Sequence, residues 1–132
     1  MKELIFAEGL LAPVLNGGKL ITIRKFRKEA HTLSKGEAFL GVFRDGLNIV
    51  LVATAETEIM TFAELSDGQA REDGFKSARS AFFEMKKYYP DLKKTDTIGL
   101  IRFEIPKIEE RPSVEYNQHA FGFAFKFPGI NR

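Results

Sequence analysis

The stretch Asn16-Gly-Gly-Lys-Leu-Ile-Thr-Ile-Arg24, NGGKLITIR, decides how the rest of the chain is read. Two glycines and a lysine precede a segment in which Ile21 and Ile23 alternate with Thr22 and Arg24, the period of a half-buried strand. A phosphate-binding P-loop needs a strand before the glycines, Ser or Thr directly after the lysine, and a helix whose N-terminal amides face the phosphates. Here Leu20 follows Lys19 and the segment beyond it reads as a strand, so an NTPase is excluded. What remains is a turn into a strand, or the lip of a pocket. On a strand, Thr22 and Arg24 share one face while Ile21 and Ile23 point to the core. Strict alternation puts Lys19 on the face opposite Thr22. Gly17 and Gly18 can adopt backbone angles closed to other residues, which lets the chain turn and bring Lys19 beside Thr22. A lysine, a hydroxyl and a guanidinium then converge. Arg24 is suited to grip a phosphate or stack on a base, and Lys19 to act as a point charge or, if desolvated, as a base. The competing reading is a solvated lysine at a turn, with Arg24 paired to a nearby acid such as Asp73.

Outward from this strand, Leu4 to Phe6 reads as a short strand and Gly9 to Leu15 as a short helix that Pro13 keeps brief. Ala38 to Phe43 is a strand, Arg44-Asp45-Gly46 a hairpin-type turn, and Leu47 to Thr57 a β-branched return strand. Thr61 with Glu64 three residues later is a capping-box pattern for a short helix ending near Leu65. Asp67 to Phe75 is polar and carries two glycines, which predicts a loop. Ser77 to Tyr88 predicts the best helix, with Ala78, Phe82, Met85 and Tyr89 at helical spacing and Pro90 ending it. Thr97 to Ile105 is a mostly apolar strand stopped by Pro106. Strands dominate, so the fold class is mainly β with peripheral α-helices. No internal repeat or linker divides the chain.

Composition bounds the function. With 132 residues, 44% hydrophobic and 29% charged, the chain has the size and balance of one globular domain. Thirteen Phe and no Trp point to an aromatic core. The absence of cysteine excludes a disulfide framework, a zinc ribbon and a thiol nucleophile, and the expected compartment is the reducing cytoplasm. Glu3 and Glu8 interrupt the N-terminal apolar run, and no apolar segment approaches the roughly 18 residues of a membrane span. His31 and His119 lie far apart without partners at ligand spacing, so neither a metal nor another cofactor is expected.

Charge is segregated along the chain. Between Gly18 and Gly36 stand six bases, Lys19, Arg24, Lys25, Arg27, Lys28 and Lys35, against the single acid Glu29. Between Glu56 and Asp73 six acids stand against one base. Such blocks form either solvated faces or, for the basic one, a rim for an anionic ligand such as RNA.

Four segments, GGKLITIR, LSKGEAF, EDGFKSARSAFFEMKKYYP and TIGLIRFEI, occur in the order and approximate spacing of the ASCH domain (activating signal cointegrator homology), a branch of the PUA-like superfamily. The resemblance covers about residues 4 to 105 and is carried most by Gly17, Lys19, Thr22 and Arg24. It implies a PUA-like, partly open β-barrel over residues 1–105, with a cleft facing RNA or a modified nucleoside. Gly17 and Gly18 would shape that cleft, and Arg24, Lys25, Arg27 and Lys28 would contact the ligand. One ASCH branch consists of small amidohydrolases that remove the acetyl group from N4-acetylcytidine with a lysine, a threonine and an acid, and other members act as ribonucleases. Residue by residue, the resemblance carries the lysine and threonine onto Lys19 and Thr22. It carries the acid onto Asp73, with Glu72 as the neighbouring alternative. Thr22 would then be nucleophile or water positioner, Lys19 its base and Asp73 the group that orients Lys19.

Those amidohydrolases are shorter, and this chain adds about 27 residues after Ile105. In that extension, residues 106–132, the run HAFGFAFKF puts Phe121, Phe123, Phe125 and Phe127 on one side of a strand. An added edge strand burying the rings, with Lys126 protecting the edge, is the expectation, against a nucleic-acid stacking platform.

Overall fold

The computed structural model describes residues 1–106. The Phe-rich run and its expected edge strand lie outside the described residues. Six strands form one curled sheet in the order β1-β3-β4-β6-β2, with β5 also on β6. They are β1 (Glu3–Phe6), β2 (Ile21–Lys25), β3 (Ala38–Phe43), β4 (Asn48–Ala53), β5 (Glu58–Thr61) and β6 (Thr97–Glu104). Four short helices accompany them: α1 (Leu11–Leu15), α2 (Lys28–His31), α3 (Asp67–Glu72) and α4 (Ala78–Lys86). The result is a partly open β-barrel with small helices around it, the mainly β class expected. None of the helices among the described residues is long and apolar enough to cross a membrane.

The chain folds around β6. Its middle, Ile98 to Arg102, pairs antiparallel with β2, from Ile21 opposite Arg102 to Lys25 opposite Ile98. Its other edge carries β5 against Thr97–Leu100 and the end of β4 against Phe103 and Glu104. The return strand expected from Leu47 to Thr57 stops at Ala53, and β5, which local pattern does not mark, follows at Glu58–Thr61; the two share one edge of β6. The break between them is held by hydrogen bonds outside any ladder, Thr54 N–H to the Arg102 carbonyl at 2.9 Å and Thr57 N–H to the Leu33 carbonyl at 3.1 Å.

With neighbours on both edges and side chains buried on both faces, β6 separates two apolar clusters. Ile101 and Phe103 face the first, with Leu4, Phe6, Phe39, Phe43, Ile49 and Leu51. The Phe6 and Phe43 rings stack at 4.6 Å between centroids, and Phe103 meets Phe6 and Phe39 edge-on at 5.8 and 6.1 Å. These are favourable offset and edge geometries for aromatic pairs. Ile98 and Leu100 face the second cluster, with Ile21, Ile23, Phe62, Ala81 and Met85. Helix α4 supplies Ala81 and Met85 to it and half-buries Phe82, whose ring meets Phe62 edge-on at 5.1 Å.

Two local structures depart from the sequence expectation. Asp67–Glu72 is helix α3 rather than loop, because Ser66 and Gln69 form a reciprocal capping box. The Ser66 hydroxyl accepts from Gln69 N–H at 3.0 Å, and the Gln69 side chain accepts from Ser66 N–H at 2.9 Å. Two orphan donors are satisfied this way, which outweighs the helix cost of Gly68. Thr61 and Glu64 form the other capping box, as their spacing predicts, and it starts a single 3-10 turn over Phe62–Glu64. The second departure is α2, one turn that closes when His31 Nδ1 accepts the Arg27 backbone N–H at 3.0 Å.

Candidate functional site

The turn that opens the chain's decisive stretch is built on α1. Pro13 C=O accepts both Gly18 N–H at 2.9 Å and Lys19 N–H at 3.0 Å, and Gly17 takes φ +80°, a conformation that costs glycine nothing. The turn delivers Lys19 into a cavity of about 460 Å³ framed by β1, β2 and α4. Lys19, Thr22, Arg24 and Asp73 all line it.

Asp73 arrives from the end of α3. It is the C-cap of that helix, and Gly74 follows with φ +95°, the left-handed residue that turns the chain out of the last turn. One Asp73 oxygen forms an ion pair with the Lys19 ammonium, and the other accepts Ile23 N–H at 3.1 Å. Lys19 Nζ donates a further hydrogen bond to the Ile21 carbonyl at 2.8 Å. Only 11% of the Lys19 side chain and 6% of the Asp73 side chain remain exposed. Burial, with the neighbouring Arg24 guanidinium, pushes the Lys19 ammonium down from 10.5 to about 7.

Thr22 is buried, and its hydroxyl oxygen accepts from Arg24 Nε at 2.9 Å, which leaves the hydroxyl proton free to be given away. The Arg24 guanidinium lies over the Phe6 ring, 4.9 Å from its centroid. Burial lowers the Arg24 pKa; the Tyr89 phenol opposes that shift and Arg27 adds to it. Behind this group sits His31, also buried, pushed down to about 4 by desolvation and by Arg24 and Arg27. It is neutral at pH 7, as its accepting Nδ1 requires.

The remaining residues singled out from sequence lie elsewhere. Gly17, Gly18 and Glu72 line a second cavity of about 410 Å³. There Glu72 is held by Arg102, which also pairs with Glu58. Lys25 turns to Asp96 at 3.8 Å. Arg27 and Lys28 are exposed at the start of α2 and do not line the cavity that holds Lys19. Of the basic run, Arg24 alone reaches it besides Lys19.

Sequence reasoning passed over other lining residues, chiefly Arg44, Phe75, Tyr88 and Tyr89. Phe75 and the two tyrosines stood in the quoted motif segments, and the tyrosines were read there as the end of a helix. Arg44 stood in a turn with no pattern to mark it. Among the described residues no group of three or more His, Cys, Asp or Glu is placed to hold a metal ion.

No family model matches this sequence. No curated protein matches it either. Among solved structures, the crystal structure of protein EF3133 from Enterococcus faecalis, described with the family model DUF984, superposes with a TM-score of 0.52 at 17% sequence identity. The match covers 71% of this chain and 64% of that protein, which is a likeness of fold.

Proposed function

We propose that this chain is an ASCH-like protein of the PUA-like superfamily whose cavity binds a modified nucleoside, free or within RNA, and hydrolyses an acyl amide on it, N4-acetylcytidine being the substrate to test. The observation that carries the reading is the state of Lys19. Neutral, its amine has two N–H groups, and the Ile21 carbonyl and Asp73 take both. Its lone pair is then left for the cavity, which Thr22 also lines. A desolvated lysine with a pKa of about 7 suits a general base at neutral pH.

In the proposed reaction, Thr22 Oγ1 adds to the amide carbonyl carbon while its proton passes to Lys19 Nζ. The hydrogen bond from Arg24 Nε stabilises the developing alkoxide. Collapse of the tetrahedral adduct breaks the C–N bond, and the Lys19 ammonium returns the proton to the departing nitrogen. That step releases cytidine and leaves an acetyl ester on Thr22; water then adds to the ester carbonyl, the ester C–O bond breaks, and acetate leaves as Thr22 Oγ1 regains its proton. Phe75, Tyr88 and Tyr89 offer ring faces for the base, and 460 Å³ lies within the roughly 300–1,000 Å³ of ordinary ligand pockets.

The experiment is acetate release from N4-acetylcytidine, followed alongside calorimetric binding. Wild-type protein should release acetate, and Lys19→Met and Thr22→Val should abolish turnover. Binding without release would leave a nucleoside-binding module, and neither binding nor release would overturn the proposal.

A further inference from the structure

Two of the cations that line the cavity have no ion-pair partner among the described residues. Asp73 is taken by Lys19, and Glu84, at the outer wall, is engaged by Lys87 at 3.1 Å. Two cations are left, Arg24 and Arg44, both lining the cavity. Among the described residues neither has a carboxylate within ion-pair distance, and the guanidinium of Arg24 spends only its Nε, on Thr22. Its two terminal amino groups have no acceptor among the described residues.

Both arginines are tied to Phe6. Its ring carries the Arg24 guanidinium, and its carbonyl accepts the Arg44 backbone N–H at 3.1 Å. Stacking on a ring fixes the plane of the guanidinium and leaves its edge, the part that forms paired hydrogen bonds to an oxyanion, toward the cavity. A half-buried guanidinium without a counter-ion is costly in the empty protein, and an anionic ligand removes that cost.

We infer that the ligand carries a phosphate and that Arg24 and Arg44 hold it, so that the cavity prefers a nucleoside monophosphate to the free nucleoside. This rests on the nucleoside-site reading above. The phosphate belongs either to a mononucleotide or to the end of an RNA strand, and in both cases the chemistry recognised is a phosphomonoester beside a pyrimidine nucleoside. Arg44, exposed at the mouth, meets the group on entry, and Arg24 fixes it.

The test is calorimetric titration of the full chain with cytidine, cytidine 3′-monophosphate, cytidine 5′-monophosphate and the RNA dinucleotide UpCp, which ends in a 3′-phosphate. At least one monophosphate should bind about tenfold more tightly than cytidine at low salt, with the advantage shrinking as salt rises. UpCp binding more tightly than the monophosphates would identify the strand end as the source, and the reverse would identify the mononucleotide. Arg24→Gln and Arg44→Ala should each lower the ratio of monophosphate to nucleoside affinity to within about threefold. Lys93→Ala, at a surface base that does not line the cavity, should keep the ratio. Should Arg24→Gln fail to fold, Arg44→Ala carries the test, because Arg44 is exposed. Equal affinity of wild-type protein for cytidine and both monophosphates would overturn the inference and leave the nucleoside site standing. Failure of every ligand to bind would overturn both.

Discussion

Lys19 and Asp73, 54 residues apart in the chain, form a nearly dry ion pair that joins the turn before β2 to the end of α3. Asp73 also accepts the Ile23 N–H, so one carboxylate ties the lysine and the strand edge together. The helix end, the strand and Lys19 are thereby held as one unit, and the role of base proposed for Lys19 requires such a fixed direction of its lone pair.

Breaking this pair one partner at a time should be expensive. Lys19→Met strands a buried carboxylate and should cost about 3–5 kcal/mol in urea unfolding. Lys19→Met combined with Asp73→Asn keeps an acceptor for Ile23 N–H and removes the lone charge, so the double variant should be more stable than Lys19→Met alone. Additive losses would show that the two side chains are not coupled.

Activity should follow the neutral form of Lys19. Its pKa of about 7 places the limb of the kcat/KM profile there, with the rate rising through that pH and level above it. Arg24→Gln removes a cation that disfavours the ammonium and should move the limb to higher pH. Asp73→Asn removes an anion that favours it and should move the limb lower. Limbs that shift in the opposite directions would exclude Lys19 as the titrating base.

Acid should weaken the fold through His31. The folded pKa of about 4 lies below the ordinary 6.5, so the unfolded chain binds the extra proton between these values. The contribution from neutral His31 is complete above about pH 6.5 and is lost as pH falls toward 4. His31→Gln, which supplies an uncharged side chain in place of the ring, should flatten unfolding free energy against pH across that window. An unchanged slope would mean that other groups set it.

The two apolar clusters should differ in what a deleted ring costs. Phe103 is 1% exposed and touches Phe6 and Phe39, so Phe103→Ala should cost about 3–5 kcal/mol. Phe82 is half-buried on α4, so Phe82→Ala should cost about 1–2 kcal/mol, and denaturant midpoints of the two variants give the comparison directly.

Local pattern was enough for much of this molecule. The alternation in LITIRK marked β2, the Asp45-Gly46 turn marked the β3–β4 hairpin, and Pro90 and Pro106 marked the ends of α4 and β6. These are signals in which neighbouring residues themselves set backbone angles or hydrogen bonds. Gly17 with φ +80° belongs with them, since a turn that must deliver Lys19 to the Thr22 face needs a residue without a Cβ.

Other features depended on contacts between distant parts of the chain. That the return strand stops at Ala53 and a further strand starts at Glu58 depends on how β4 and β5 share the edge of β6, which no window around residue 53 contains. That Asp73 and not Glu72 meets Lys19 follows from the direction in which α3 ends: one residue earlier, the carboxylate pairs with Arg102 at the other cavity. Arg24 reaches the cavity while Lys25 turns to Asp96, because adjacent strand residues face opposite sides. The sequence by itself therefore determined five of the six described strands, the turn and the candidate chemical groups, all consequences of backbone geometry over a few residues. Which of those groups share one cavity, and hence the depressed pKa of Lys19 and the lack of an ion-pair partner for Arg24 among the described residues, was decided by the tertiary structure, because burial and electrostatic partners depend on segments that only folding brings together.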